Sequence, residues 1–361
     1  MNHPNLSKTL VLRLSSLGDV ILASGVLECE SLLSGVDWVV ATEFASVLQG
    51  HPKIHRLWKF DRAPKDLKSK RALGRLTRFF VWTRLCRELW SSHYSHVIDL
   101  HGSLRTRILY FLFCYWSLVQ KKPMPVWTQV DKARWRRSGY FIFKNAWPKK
   151  WRPRSRILDF VRAVGGKGTE KPSLRHLQFQ AVGRPDHFSF LVPFSSPYLC
   201  VMPDASRKGK RWSVEGYVEA LKDSPLLPVI LGTEKDTESV KLVRLLRQRS
   251  IPHFSGVGNW DLSRVACVLA QARVYLGGDT GLAHLAEAMG IPAVILFGPT
   301  VPDLGFGPWR PESHSLGISL WCRPCGKDGR FCFRPIRRHQ CLRLLEPKQV
   351  VSLIRHYYPP A

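Results

Sequence analysis

Leu276-Gly277-Gly278-Asp279-Thr280-Gly281-Leu282-Ala283-His284 is the stretch that decides the fold. A short apolar strand, read over residues 273–276, ends in two glycines, and a helix read over 280–289 opens on Asp-Thr-Gly. Strand, tight turn and helix in so few residues form the unit from which parallel α/β layers are built. Glycines without a Cβ let a ligand approach the backbone closely. The helix N-terminus adds unpaired N–H groups and a partial positive charge, which suit a diphosphate. The same residues also read as a plain tight turn in which Asp279 or Thr280 only caps the helix.

Outward from this block the pattern repeats. Strands at 198–202, 228–231 and 293–297 alternate with helices at 213–222, 235–248 and 261–272. A similar series stands nearer the N-terminus: a strand at 10–14, a helix at 19–33, and strands at 37–42 and 96–100. Residues 172–197 carry several Pro and Gly without clear periodicity and read as a linker. A chain of 361 residues suits about two domains of ~150 each. The expected fold is therefore α/β, with two Rossmann-like domains facing across a cleft. The first spans 1–175, a linker 176–197, the second 198–345, and a closing helix 346–361.

The charge balance is the unusual feature: 55 Lys and Arg against 27 Asp and Glu, a formal net charge of +28. With 45% hydrophobic residues the chain is globular rather than disordered. The excess charge points to an anionic partner: nucleic acid, membrane or phosphorylated substrate. Two basic stretches stand out. Residues 53–87 hold only Asp61 and Asp66 as acids; residues 121–156 hold only Asp131, with Trp127, Trp135, Trp147 and Trp151 interleaved. They read either as solvated faces or as a surface toward an anionic membrane or glycolipid. No recognition helix or aromatic RNA-binding motif accompanies them, which argues against nucleic acid. The first residues are polar and unlike a secretory leader. The greasiest run, 108–119, falls short of the roughly 20 residues a spanning helix needs. A cytosolic protein resting on a membrane surface is expected. Of nine cysteines, five are scattered as single thiols. Cys322, Cys325, Cys332 and Cys341 cluster and read as a structural zinc site, as free thiols, or as an iron–sulfur site.

Asp279-Thr280-Gly281-Leu282-Ala283-His284-Leu285-Ala286, continuing through Gly290-Ile291-Pro292 to Leu296-Phe297-Gly298-Pro299-Thr300, resembles the signature of glycosyltransferase family 9, the lipopolysaccharide heptosyltransferases. Arg13-Leu14-Ser15-Ser16-Leu17-Gly18-Asp19-Val20 resembles the family's N-terminal motif. So does Val97-Ile98-Asp99-Leu100-His101-Gly102-Ser103-Leu104-Arg105, although a Gln is more usual where His101 stands. Pro203-Asp204-Ala205-Ser206 through Lys210-Arg211-Trp212 is similar to the family's phosphate-contacting loop, with Asp204 in place of the commoner Gly. The matches lie in order over most of the chain.

The resemblance implies an inverting transfer on a GT-B scaffold without an essential metal. The N-terminal domain would hold the acceptor, an anionic glycolipid such as the lipopolysaccharide core, at the cytosolic face of the inner membrane. The C-terminal domain would hold the donor, a nucleotide sugar with ADP-heptose as the family default. Asp19 becomes the candidate general base: a carboxylate at a helix start stays ionised and can take a proton from an attacking hydroxyl, although it also reads as a helix cap. Lys210 would neutralise charge on the departing diphosphate, and Ser206 would bond the same phosphates. Glu234 is matched to ribose or sugar hydroxyls and Asp279 to hydroxyls of the transferred sugar. Thr280, Gly281 and His284 would line the diphosphate, although a helical His so spaced is commonly just packed. Gly18 and Arg105 fall to the acceptor. The alternatives are a transferase using another nucleotide sugar, an epimerase of the same scaffold, or a basic nucleic-acid-binding protein.

Overall fold

The computed structural model describes residues 8–61, 73–177, 196–326 and 328–358. The chain divides into two compact units, Met1–Lys132 with Arg156–Pro172 and Ala133–Ser155 with Ser173–Ala361. The first carries a parallel sheet of β1 (Thr9–Leu12), β2 (Val36–Ala41), β3 (Ile54–Phe60), β4 (His96–Asp99) and β5 (Val126–Gln129), in the order β3-β2-β1-β4-β5. The second carries β6 (Tyr198–Met202), β7 (Leu227–Ile230), β8 (Phe254–Ser255), β9 (Val274–Gly278), β10 (Ala293–Leu296) and β11 (His314–Leu316), all parallel, in the order β8-β7-β6-β9-β10-β11. Both orders are the same doubly wound one, reversing between the first and fourth strands of each unit. The α/β expectation, run twice, stands.

Burial explains which strands the sequence announces. Leu10, Val11, Leu12, Val39 and Val40 are wholly buried, as central parallel strands covered on both faces must be. The strands not anticipated, β3, β5, β8 and β11, are the four sheet edges. An edge strand is only partly covered, so it needs no continuous apolar run and tolerates charge. In β3, Arg56 and Lys59 are exposed while Trp58 and Phe60 are buried. Part of the first basic stretch is therefore a sheet edge; residues 62–72 of it lie outside the described residues.

Helix starts follow their caps. Ser213 accepts the Gly216 N–H at 3.1 Å ahead of the helix Val214–Lys222. Asp261 accepts that of Arg264 at 2.8 Å ahead of Leu262–Gln271. The helix expected over 19–33 is α-helical only at Leu17–Ala23 and then tightens into 3₁₀ turns, Ser24–Glu28 and Glu30–Leu32. A Cβ on Gly25 would lie 3.3 Å from Pro172, so the chain is drawn close here and a side chain would press on that proline. The segment Ala133–Ser155 groups with the second unit rather than with residues 1–132. Tyr140 donates to Asp303 at 3.1 Å, Arg152 pairs with the same carboxylate at 3.1 Å, and Lys144 donates to the Pro324 carbonyl. The expected linker at 176–197 lies mostly outside the described residues. No helix among the described residues is long and apolar enough to cross a membrane.

Gly278, the last residue of β9, has a packing reason to lack a side chain: a Cβ there would stand 2.9 Å from the Lys210 carbonyl oxygen. Backbone cannot yield as a side-chain tip can. Gly278→Ala is expected to cost ~1–3 kcal/mol as overpacking, read as a melting transition lowered by several degrees in a thermal-shift measurement.

Candidate active site

The strand order places the sequence motifs before any side chain is considered. Ligands of doubly wound sheets bind beyond the carboxyl ends of the strands, where the order reverses. In the first unit that point lies between β1 and β4, whose following loops are Arg13–Asp19 and Leu100–Arg105. In the second it lies between β6 and β9, followed by Pro203–Arg211 and Asp279–Gly281. All four motifs quoted above sit at these ends.

In the first unit Asp19 occupies the opening turn of Leu17–Ala23. Its carboxylate pairs with Arg13 Nη2 at 2.8 Å and accepts from Ser16 Oγ at 3.1 Å and Ser16 N at 3.4 Å. It therefore does cap its helix, and it is also an ion-pair partner. Burial alone would raise its pKa. The Arg13 guanidinium first, then Arg156 and the Ser16 hydrogen bonds, outweigh burial and hold the carboxyl below the usual carboxylate range. Arg13 is itself buried, donates to the Leu100 carbonyl, and lies 5.1 Å from the Phe160 ring centroid, with Arg156 at 4.6 Å from the same ring. The β4 loop is set by Asp99, which accepts the N–H groups of His101 at 2.9 Å and Gly102 at 2.7 Å, Gly102 turning through a positive φ of 51°. His101 is pushed down to about 3 by burial, with Arg13 and Lys132 adding to it, so the imidazole is neutral. Gly18 is half-buried beside Asp19, and Arg105 lies 5.5 Å from the Phe60 ring centroid.

In the second unit Lys210 closes the turn Lys208–Lys210, and its ammonium reaches the Asp279 carboxylate at 2.6 Å and the Asp279 carbonyl at 3.3 Å. Thr300 Oγ1 donates to the same carboxylate oxygen at 2.8 Å. Residues assigned to different parts of a donor are thus partners of each other. Thr280 stands at the N-cap position of Gly281–Ala288 without a side-chain capping bond, and Gly281 is first in that helix. The space that a Cβ on Gly278 would need is taken by the Lys210 turn, so this glycine serves protein packing where a ligand's approach was anticipated. Ser206 and Glu234 are exposed on the loops after β6 and β7; Glu234 lies against Gly258. Asp204, the departure from the family pattern, is buried. It pairs with Arg211 at 2.9 Å and accepts the Glu238 N–H at 3.1 Å, tying the β6 loop to the helix Thr237–Gln248.

Two assignments look different in the structure. His284 is buried, its ring stacked on Trp309 at 5.6 Å between centroids, which is the packed arrangement. Among the described residues no three His, Cys, Asp or Glu side chains are grouped to hold a metal ion, and the thiols of Cys322, Cys325, Cys332 and Cys341 lie near enough to influence one another electrostatically. Burial raises the Cys325 thiol and pushes Cys341 up to about 11. The charge among these thiols is Arg323, buried, donating to the carbonyls of Phe297 at 3.0 Å and Thr300 at 2.9 Å. The loop still approaches the site: a Cβ on Gly209 would meet the Gly329 carbonyl at 2.7 Å, so the segment between Cys325 and Cys332 packs on the Lys210 turn. The sequence reading passed over Arg13, Arg156, Arg211, Thr300 and Arg323 as individual actors. Arg13, Arg211 and Thr300 stood inside quoted motifs, whereas nothing local marks Arg156 or Arg323.

The same fold occurs in solved glycosyltransferases. A family 9 glycosyltransferase of Veillonella parvula superposes with a TM-score of 0.69 at 18% identity, covering 97% of both chains. An Escherichia coli heptosyltransferase with ADP gives 0.65 at 20% identity, covering 97% of this chain and 99% of that one. In sequence, lipopolysaccharide heptosyltransferase 1 of Pseudomonas aeruginosa is 28% identical over 367 residues, 96% of each chain. The family model and the sequence relatives make this chain a glycosyltransferase. The model of glycosyltransferase family 9 (heptosyltransferase) matches residues 143–331, more than half of the chain, and the chain belongs to that family.

The ion pair of Asp19 has a pH signature. Its folded pKa is depressed, so its contribution to stability is fully present above the unfolded value of about 3.9 and is lost only as pH falls further, through the folded value. The stability gap between wild type and Asp19→Asn, from denaturant unfolding, is expected to stay constant from neutral pH down to about pH 4 and to close only below that. A gap closing between pH 6 and 5 would assign the titration to another group.

Proposed function

We propose that the enzyme moves heptose from ADP-heptose to the lipopolysaccharide core or a related anionic glycan, with inversion, using Asp19 as base and Lys210 at the leaving group. The observations that support this reading are a carboxylate held ionised by Arg13 at the β1–β4 ends of the first unit and, within the second unit, a Lys–Asp–Thr constellation at the β6–β9 ends. Relatives named for lipopolysaccharide heptose transfer, and an Escherichia coli relative solved with ADP-2-deoxy-2-fluoro heptose, support the donor and acceptor classes. In the proposed step the acceptor hydroxyl oxygen attacks the anomeric carbon, and its proton passes to an Asp19 oxygen. The bond from that carbon to the diphosphate oxygen breaks, and its electron pair leaves with the diphosphate. Arg13 keeps Asp19 ionised, so the base is ready across the physiological range.

Lys210 would exchange its contact with Asp279 for the phosphates, freeing that carboxylate for sugar hydroxyls. Ser206 and the Thr280–Gly281 helix start would add hydrogen bonds to the phosphates, and Glu234 would reach ribose or sugar hydroxyls. Gly18 and Arg105 are assigned to the acceptor. A positive side chain at the leaving group supplies the charge neutralisation that a divalent ion gives in other transferases, so turnover is expected to persist in chelator. The exposed Lys and Arg of residues 121–156 suit contact with an anionic membrane at the cytosolic face of the inner membrane, where such an acceptor is built. Nucleic acid is not part of this reading.

Asp19→Asn keeps shape and removes the base. Donor affinity by calorimetry is expected to hold, while nucleotide release falls by about 10²-fold or more. Lys210→Ala is expected to lower both nucleotide diphosphate affinity and turnover. An Asp19→Asn enzyme at wild-type rate would put the base elsewhere, and unchanged nucleotide affinity in Lys210→Ala would displace the donor site.

A further inference from the structure

The helix Leu104–Gln120 is apolar on both faces, yet only one is covered. Leu109 and Phe113 are buried toward the sheet, with Leu112 and Trp116 partly buried beside them. On the opposite side Leu104, Phe111, Tyr115 and Leu118 are spaced by seven, four and three residues, which aligns them along one stripe. They are 74%, 66%, 59% and 80% exposed. A helix apolar all round is normally covered all round, and a contiguous exposed apolar stripe marks a contact surface. Arg107 stands at one end of the stripe and Lys121 and Lys122 at the other, all exposed, and no Asp or Glu occurs between Asp99 and Asp131.

We propose that this outer face lies in the surface of an anionic lipid bilayer, its aromatic and aliphatic side chains inserted and its basic ends on the headgroups. The proposal rests on the membrane contact suggested above and gives it an element. Charge selects the occupant. A second copy seated on the stripe would bring Arg107, Lys121 and Lys122 against their own equivalents in a chain of net charge +28, where like charges repel. An anionic bilayer offers both an apolar layer and opposite charge, the pairing that in-plane amphipathic helices use. The helix cannot span: at about 1.5 Å per residue its 17 residues fall short of a bilayer core of ~30 Å, and its inner face belongs to the sheet. Arg105, assigned to the acceptor, opens this same helix, so seating it would bring that residue to the level of lipid headgroups.

The test is flotation of the full chain with phosphatidylglycerol-containing and pure phosphatidylcholine vesicles at low and high salt. Wild type is expected to bind the anionic vesicles, with a fraction that resists high salt because insertion is not screened. Phe111→Ser with Leu118→Ser is expected to lose that fraction and to lower partitioning by roughly tenfold or more, with melting unchanged since both residues are exposed. Tyr115→Ser serves as an independent variant should the pair fold poorly. If wild type binds anionic vesicles and the variants bind equally, the stripe is overturned while membrane contact by the basic segments stands. If wild type binds neither vesicle, both ideas fall. If sedimentation shows a dimer that the variants dissociate, the face belongs to a second copy and the bilayer assignment is overturned.

Discussion

Parallel strands deliver all their carboxyl ends to one side of a sheet, and a reversal of strand order opens a gap there that no crossover helix fills. The rest of this molecule depends on that constraint, met twice. The segments that follow β1, β4, β6 and β9 carry Asp19, Arg105, Lys210 and Asp279, and Glu234 follows β7. Residues separated by more than sixty positions, such as Lys210 and Asp279, become hydrogen-bonded partners because β6 and β9 are neighbours. Tight turns follow from the same crowding: Gly209 and Gly278 stand where another backbone carbonyl occupies the space a side chain would need.

The positive charge is used in two different ways. A few cations are buried with partners of their own: Arg13 with Asp19 and the Leu100 carbonyl, Arg156 with Asp159 at 2.7 Å, Arg323 with backbone carbonyls. A buried charge without such partners would be costly, so these arginines organise loops rather than advertise a ligand. Most of the remaining excess is on the surface, where it sets long-range attraction for anionic partners. Lys210 stands between the two regimes, mostly buried yet paired with a carboxylate that has a task of its own. In the proposed mechanism, ligand entry and rearrangement of that pair would be one event, and the roles of the two residues would be coupled rather than additive.

Much of the candidate site is legible in the sequence because its residues belong to short contiguous motifs, each running from strand to loop or turn. Gly18-Asp19 and Asp279-Thr280-Gly281 are visible as strings, and their strings fall at strand ends. His284 shows the limit of that reading. It belongs to the same string as Asp279, but one helical turn carries it into the core against Trp309, where packing determines its surroundings. The cysteines show it again, since C-x2-C spacing by itself does not reveal that the Arg323 guanidinium and the Lys144 ammonium come close to these thiols.

By itself the sequence determined the two α/β series, the central strands and the main helix boundaries of the second series, because fully buried strands and capped helices write their periods locally. Only the tertiary structure decided the rest. The edge strands β3, β5, β8 and β11 bury too little to show a pattern. The grouping of Ala133–Ser155 with the second unit rests on Tyr140, Arg152 and Lys144 meeting residues far along the chain. The depressed pKa of Asp19 owes most to Arg13 but also draws on Arg156, more than a hundred positions away, and the exposure of the Leu104–Gln120 stripe depends on what the fold leaves uncovered. Each of these is a relation between distant residues, and such a relation has no energy until the chain has closed the loops between them.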